Sequence, residues 1–291
     1  MRYSDEHVAL CALNKLFGYH PRQVLDRLDQ YVARLEPSQL DWARKELEKV
    51  SDLGCRFLGI HDEDYPEPLR SCEDPPLGLY LSGTSSPTEI FALRPMIGFV
   101  GTRDISPYGR EWCRKLVQAL AEAPVQPCIV SGLAFGADGI AHRTALECGL
   151  PTVGVMATGI DAVYPWQHRD LAAAMVAAPG SGVVTDYPTD TSPVALNFVR
   201  RNRIIAGLVS AVVVVESKTK GGSLMTAKYA CDYSRDVYAV PGRLDDVRSA
   251  GCNSLIASEM ARIVPSAEAL PGLLGLGKPV RGPGGDRKSV V

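Results

Sequence analysis

From residue 96 onward, short apolar runs alternate with stretches in which apolar side chains recur at helical spacing. Segments 96–100, 128–130, 152–156, 183–185, 211–215 and 237–240 read as strands. Segments 108–123, 137–148, 171–178 and 223–234 read as helices. Residues 211–215 (Ala-Val-Val-Val-Val) form the continuous β-branched run expected of a strand buried on both faces of a parallel sheet. Strand–loop–helix units recurring every roughly 20 to 35 residues predict an α/β fold, an extended Rossmann-like, doubly wound and mostly parallel sheet over 96–274. Its binding loops are expected at the C-terminal ends of the strands.

The chain ahead of this region is patterned differently. Val8, Leu10, Leu13, Leu16 and Phe17 share helical spacing up to Gly18. Pro21 opens a second helix with Val24, Leu25 and Leu28, and Pro37-Ser38 a third with Leu40, Trp42, Ala43 and Leu47. Residues 1–50 therefore predict a small all-α domain of SAM-like or helix-hairpin-helix-like type, which could contact nucleic acid or protein. Residues 51–95 read as a connector with short strands at 56–60 and 79–81, set among the turn sequences Asp64-Tyr-Pro-Glu-Pro and Asp74-Pro-Pro. The glycine-rich, weakly basic stretch 275–291 reads as a disordered tail.

Composition narrows the class. Apolar content of 46% and charged content of 22% are those of a globular protein, and the net charge of −2 means that any anion site must be a local patch. The eight cysteines are scattered without metal-ligand or disulfide-framework spacing, as expected of thiols in a reducing cytoplasm. No run approaches the length of a membrane span, and the N-terminus lacks the apolar core of a signal peptide.

Candidate chemistry lies in the loops. Gly101-Thr102-Arg103 follows the first strand of the α/β region; the glycine lets an anion approach the backbone, and the arginine can fork onto a phosphate. Ser131-Gly132 opens a second glycine-rich loop running to Asp138, either a nest of N–H groups or simply tight strand-to-helix packing. Tyr164 and Trp166 follow the third strand, placed to stack on bases or to plug the loop. Arg200, Arg201, Asn202 and Arg203 lie on a short helix before the 211–215 strand, and at least two of the arginines are expected to face water or an anion. Lys218 and Lys220 precede Gly221-Gly222-Ser223, which opens the next helix as an anion-receiving N-terminus would. Asp138 and His142, four apart, read as a structural pair under the glycine loop. No G-x-S-x-G elbow, dinucleotide fingerprint or P-loop is present, and the histidines lack metal spacing, so neither hydrolysis nor a metal or other cofactor is expected.

Taken in order, Gly101-Thr-Arg103 with Ser106-Pro-Tyr-Gly109, Ser131-Gly-Leu-Ala-Phe-Gly-Ala-Asp-Gly-Ile-Ala-His142, Gly159-Ile-Asp-Ala-Val-Tyr-Pro165, Phe198-Val-Arg-Arg-Asn-Arg-Ile-Ile-Ala-Gly-Leu208, Gly222-Ser-Leu-Met-Thr-Ala227, Tyr238-Ala-Val-Pro-Gly242 and Ser249-Ala-Gly-Cys-Asn-Ser-Leu-Ile256 resemble the DNA-processing protein A family (DprA, also called Smf). The resemblance implies a non-enzymatic protein that binds single-stranded DNA, forms a homodimer and loads RecA during natural transformation. It implies no covalent chemistry. Carried over by motif and combined with the loop reading, the expected nucleic-acid contacts are Gly101, Thr102, Arg103, Ser131, Gly132, Tyr164, Arg200, Asn202, Arg203, Lys220, Gly222 and Ser223, with Arg201 as a scaffold or surface residue. Phe198-Val stands where Phe-Pro is commoner, and the stretch after Ser249 is too short for the winged-helix domain that many members carry. The competing readings are a nucleoside-monophosphate hydrolase, whose P-G-G-x-G-T motif is not found here, and a small-ligand sensor.

Overall fold

The computed structural model describes residues 3–18 and 20–277. Four N-terminal helices come first: α1 (Asp5–Phe17), α2 (Arg22–Leu25), α3 (Leu28–Val32) and α4 (Pro37–Asp52). Reciprocal Ser4–His7 hydrogen bonds cap α1, and Pro37 sits in the first turn of α4. The second expected helix is split in two, because the backbone leaves helical geometry at Arg27, where φ is −140°.

Then follow β1 (Arg56–Gly59), α5 (Glu67–Arg70), β2 (Gly78–Ser82) and α6 (Pro87–Phe91). The alternating region runs β3 (Met96–Val100), α7 (Pro107–Ala121), β4 (Cys128–Ser131), α8 (Ala137–Glu147), β5 (Thr152–Val155), α9 (Arg169–Ala177), β6 (Gly182–Thr185), α10 (Ala195–Leu208), β7 (Ala211–Val214), α11 (Gly222–Asp232) and β8 (Asp236–Ala239). The arginine-bearing helix α10 has 14 residues and is not short. Three elements without a counterpart in the sequence pattern close the chain: α12 (Ala250–Ala257), β9 (Arg262–Ile263) and α13 (Leu270–Leu273).

Among the described residues one sheet is formed, in the order β1-β2-β6-β5-β4-β3-β7-β8-β9. It is parallel from β6 to β9, and β1 and β2 extend it antiparallel, with Tyr80 opposite Thr185. This is the doubly wound, mostly parallel sheet that the pattern predicts. Successive strand residues feed opposite cores. Met96, Val100, Val212 and Val214 pack against α10 and α11, whereas Ile97, Phe99 and Val213 pack against α7 and α8. The chain moves outward on one side from β3 through β4, β5 and β6, then returns to the other side of β3 at β7. The crevice at the C-terminal ends of β3 and β7 is therefore the topological switch point, the usual ligand position in such sheets.

The N-terminal helices are tied to the segment after β6. The Glu46 carboxylate accepts from the Thr189 backbone N–H at 2.7 Å and from its hydroxyl at 2.6 Å, and Asn14 donates to the Asp186 carbonyl at 2.7 Å. At the other end, Leu276 is buried and its carbonyl accepts from Val125, so the expected tail begins inside the packed fold; from 278 on that expectation lies outside the described residues. No described helix is long and apolar enough to cross a membrane.

Arg203 carries a prediction. It is 4% exposed, and its guanidinium pairs with the Asp186 carboxylate at 2.6 Å and donates to the Asp74 carbonyl. Removing one partner strands a buried charge. Arg203→Ala is expected to lower unfolding stability by about 3 kcal/mol or more in urea denaturation, well beyond an exposed Arg110→Ala control.

Candidate functional site

The loop after β3 turns away at Gly101 and locks onto the loop after β7, with the Thr102 N–H donating to the Glu216 carbonyl at 2.8 Å. The Glu216 side chain, 1% exposed, accepts from the Ser106 backbone N–H at 2.8 Å and from its hydroxyl. Ser106 is the N-cap of α7. A protein carboxylate thus occupies the positive end of that helix, just beyond the Gly101-Thr102-Arg103 loop where an anion was expected to approach. The signal was present in the sequence: one acid ends an otherwise apolar strand and faces a helix start.

The second loop likewise serves packing. A Cβ on Gly132 would lie 2.3 Å from the Arg201 guanidinium, and one on Gly136, at φ +76°, would lie 2.2 Å from the Thr102 carbonyl oxygen. Ser131 is fully buried and donates to the Phe99 carbonyl at 2.6 Å, so neither it nor Gly132 presents a side chain or open backbone to the loop surface. Ser223 is also buried, with its hydroxyl on Ser217 at 2.9 Å. Gly222 and Lys220 are exposed at the start of α11, and Asn202 reaches the Gly222 carbonyl at 3.3 Å.

The arginines of α10 require a correction. Arg201 and Arg203 diverge as two-residue spacing demands: Arg201 turns to the ends of β4 and β5, donating to the Gly132 and Val155 carbonyls, and Arg203 turns to the end of β6. Arg203 faces the N-terminal segment and Asp186 and is not available as a phosphate contact. Both are buried because both are partnered within the protein. Arg200 is half-buried and acts electrostatically on Asp186, on the Arg203 side of the helix.

Exposed chemistry concentrates around Arg103. Its guanidinium lies 4.9 Å from the ring centre of Phe198, at the start of α10. Tyr164 meets Phe198 edge-on at 5.5 Å. Tyr164 is 46% exposed and Trp166 in the same loop is 65% exposed. Loops after β3 and β5 and the first turn of α10 thus build one surface of cation and aromatic faces. Of these residues, Phe198 was missed; an aromatic at a helix start, ahead of the core-facing Ile204 and Ile205, was the available clue.

Asp138 and His142 are both structural, but not as a pair. Asp138 accepts from the Ala134 N–H at 3.2 Å; burial pushes its carboxyl up, and Arg201 pulls it back. His142 bonds through Nδ1 to the Thr152 hydroxyl at 2.7 Å, and burial drives its imidazole down to about 3. Because the Thr152 hydroxyl donates to the Ile129 carbonyl, it accepts from His142, which fixes the neutral ring with its proton on Nδ1. A separate cleft of about 460 Å³ opens at the opposite, N-terminal end of β3 and β7, among Tyr65, Phe91, Met96 and Arg235.

These features define a class: an open α/β protein with a cation–aromatic surface at its switch point. The chain belongs to the DNA recombination-mediator protein A family, whose model matches residues 56–273. It is 39% identical over 227 residues to Protein Smf of Synechocystis, covering 78% of this chain and 56% of that one. It is 37% identical over 239 residues to Protein Smf of Escherichia coli, covering 80% and 62%. The chain therefore spans less than two thirds of the length of these relatives. Among solved structures it is similar to DNA processing protein A (DprA) from Streptococcus pneumoniae, with a TM-score of 0.73 and 29% identity over 92% of this chain and 97% of that one. It is also similar to DNA processing protein A from Helicobacter pylori, solved for its single-stranded DNA binding mode, with a TM-score of 0.66 and 27% identity over 76% and 96%.

His142 makes stability pH-dependent. Its folded value lies below the unfolded 6.5, so between those values the unfolded chain binds the extra proton and stability falls as pH drops. The expected contribution is about 1.4 kcal/mol per pH unit below 6.5. His142→Asn, whose amide nitrogen can replace Nδ1, should flatten the urea-denaturation profile between pH 6.5 and 5 by that amount.

Proposed function

We propose that the chain binds single-stranded DNA across the C-terminal ends of β3, β5 and β7, as a DNA-processing recombination mediator. The observation that carries this reading is the exposed Arg103 guanidinium over Phe198, with Tyr164 at its edge. A cation beside aromatic rings packed edge to face suits a backbone with unpaired bases, because phosphates meet the arginine and every base has a face to stack. Lys220 and the open start of α11 at Gly222 lie in the loop on the other side of the switch point. The single-stranded DNA binding of the Helicobacter pylori relative supports the same assignment.

The reading extends to a binding protein rather than an enzyme. Asp138 and His142, the pair closest to an acid–base constellation, are each engaged with protein partners beneath the loop. Extended further, the chain acts in the cytoplasm as a homodimer and passes the bound strand to RecA, the role that its family resemblance implies.

Fluorescence anisotropy with a labelled oligothymidylate across a salt series tests the core of the proposal. Binding should weaken steeply with salt and exceed that of the matching duplex. Arg103→Ala should lower the salt slope by about 0.7, and Phe198→Ala or Tyr164→Ala should weaken binding by about 1–3 kcal/mol with the slope unchanged. Equal affinity at low and high salt, or preference for duplex, overturns the reading.

A further inference from the structure

We infer that Asp104 is a resident competitor for phosphate, and that Lys218 and Arg248, which it holds, form a second basic pole that carries the strand path from β3 across the switch point toward β8. The inference rests on the single-stranded-DNA reading above. Arg103 and Asp104 are consecutive but diverge. Arg103 turns to Phe198 on α10. The Asp104 carboxylate instead lies 3.4 Å from the Arg248 guanidinium and 4.0 Å from the Lys218 ammonium. These three side chains come from the loops after β3, β8 and β7, so one carboxylate joins three of the loops at the binding end of the sheet.

The chemistry of this carboxylate differs from that of its neighbours. Glu216 is buried and fixed by the N-cap of α7, so it belongs to the fold. Asp104 has 69% of its side chain exposed, and its carboxylate is paired with Lys218 and Arg248, 51% and 44% exposed. Ion pairs this exposed are weak and screened by salt, so a phosphate oxygen can displace the carboxylate. Arg248 is pre-placed: its backbone N–H donates to the Asp246 carboxylate at 2.9 Å. The other arginine of that loop, Arg243, is clamped two-pronged by Asp245 at 2.9 and 3.0 Å and is not a member of the pole. Asp104 therefore sets affinity through the two cations it occupies, and its effect depends on their presence.

A charge cycle in the same anisotropy assay tests this. Asp104→Asn is expected to tighten oligothymidylate binding about three- to tenfold at low salt, with the gain shrinking as salt rises. Lys218→Ala with Arg248→Ala should lower the salt slope by about 1.4, two single-strand phosphate contacts, and in that background Asp104→Asn should give no gain. Asp232→Asn, an exposed acid in the last turn of α11, controls for net charge and should leave affinity unchanged. All the side chains are exposed, so thermal melts of the variants should match the parent. If the parent binds the strand but the double variant keeps its slope, or Asp104→Asn gains equally in both backgrounds or no more than Asp232→Asn, the inference is overturned alone. A parent chain that binds no strand overturns the underlying reading and the inference with it.

Discussion

The ion pair between Arg203 and Asp186 sets the geometry on which the loop surface depends. A guanidinium that is 4% exposed has to meet an opposite charge and enough acceptors for its fork of donors. Asp186 supplies the charge from the end of β6, and the Asp74 carbonyl supplies an acceptor from the N-terminal segment. Tyr233, at the end of α11, closes the arrangement on the Asp74 carboxylate. Four segments distant in sequence are joined, and the rotation of α10 about its axis is fixed. With that rotation set, Arg201 must lie beneath Gly132 and Val155, and Phe198 emerges at the start of the helix where Arg103 can rest on it. The exposed surface is a consequence of the buried pair.

The sheet was legible because its signal is local. Continuous apolar runs such as 211–215 and helical stretches of matching period leave few alternatives to a doubly wound parallel sheet. The pairing of β2 with β6 was not legible, because the match of Tyr80 to Thr185 joins residues about a hundred positions apart and neither short strand advertises it. The orientation of α10 was misread for a related reason. A sequence shows three arginines but not their partners, and the rule that arginines face outward fails where a carboxylate and backbone carbonyls are supplied inside. The glycines were legible as constraints with two possible causes, and packing is the one found: at Gly132 and Gly136 an approaching guanidinium and a carbonyl oxygen exclude a side chain. Of the candidate contacts, Arg103, Tyr164, Lys220 and Gly222 reach the surface, whereas Ser131, Gly132, Arg203 and Ser223 are enclosed.

For a chain of net charge −2 to receive a polyanion, as proposed, its charges have to be separated, and the loop architecture separates them. Several carboxylates at the binding end of the sheet are turned inward: Glu216 onto the start of α7, Asp138 under its own loop, Asp186 onto Arg203. Internalising them leaves Arg103 on the surface with the ring of Phe198 as its neighbour. The same economy has a cost for small ligands. Glu216 occupies the helix start nearest β3, so a lone phosphate there gains little from helix dipoles. Attraction has to come from side chains spread over loops from β3, β5 and β7, and from stacking. On the proposed reading a mononucleotide would meet one such cation and one ring at a time, whereas a single strand would span the set. On this geometry, preference for a polymer over its monomer follows from the spacing of the contacts, without any one of them being strong.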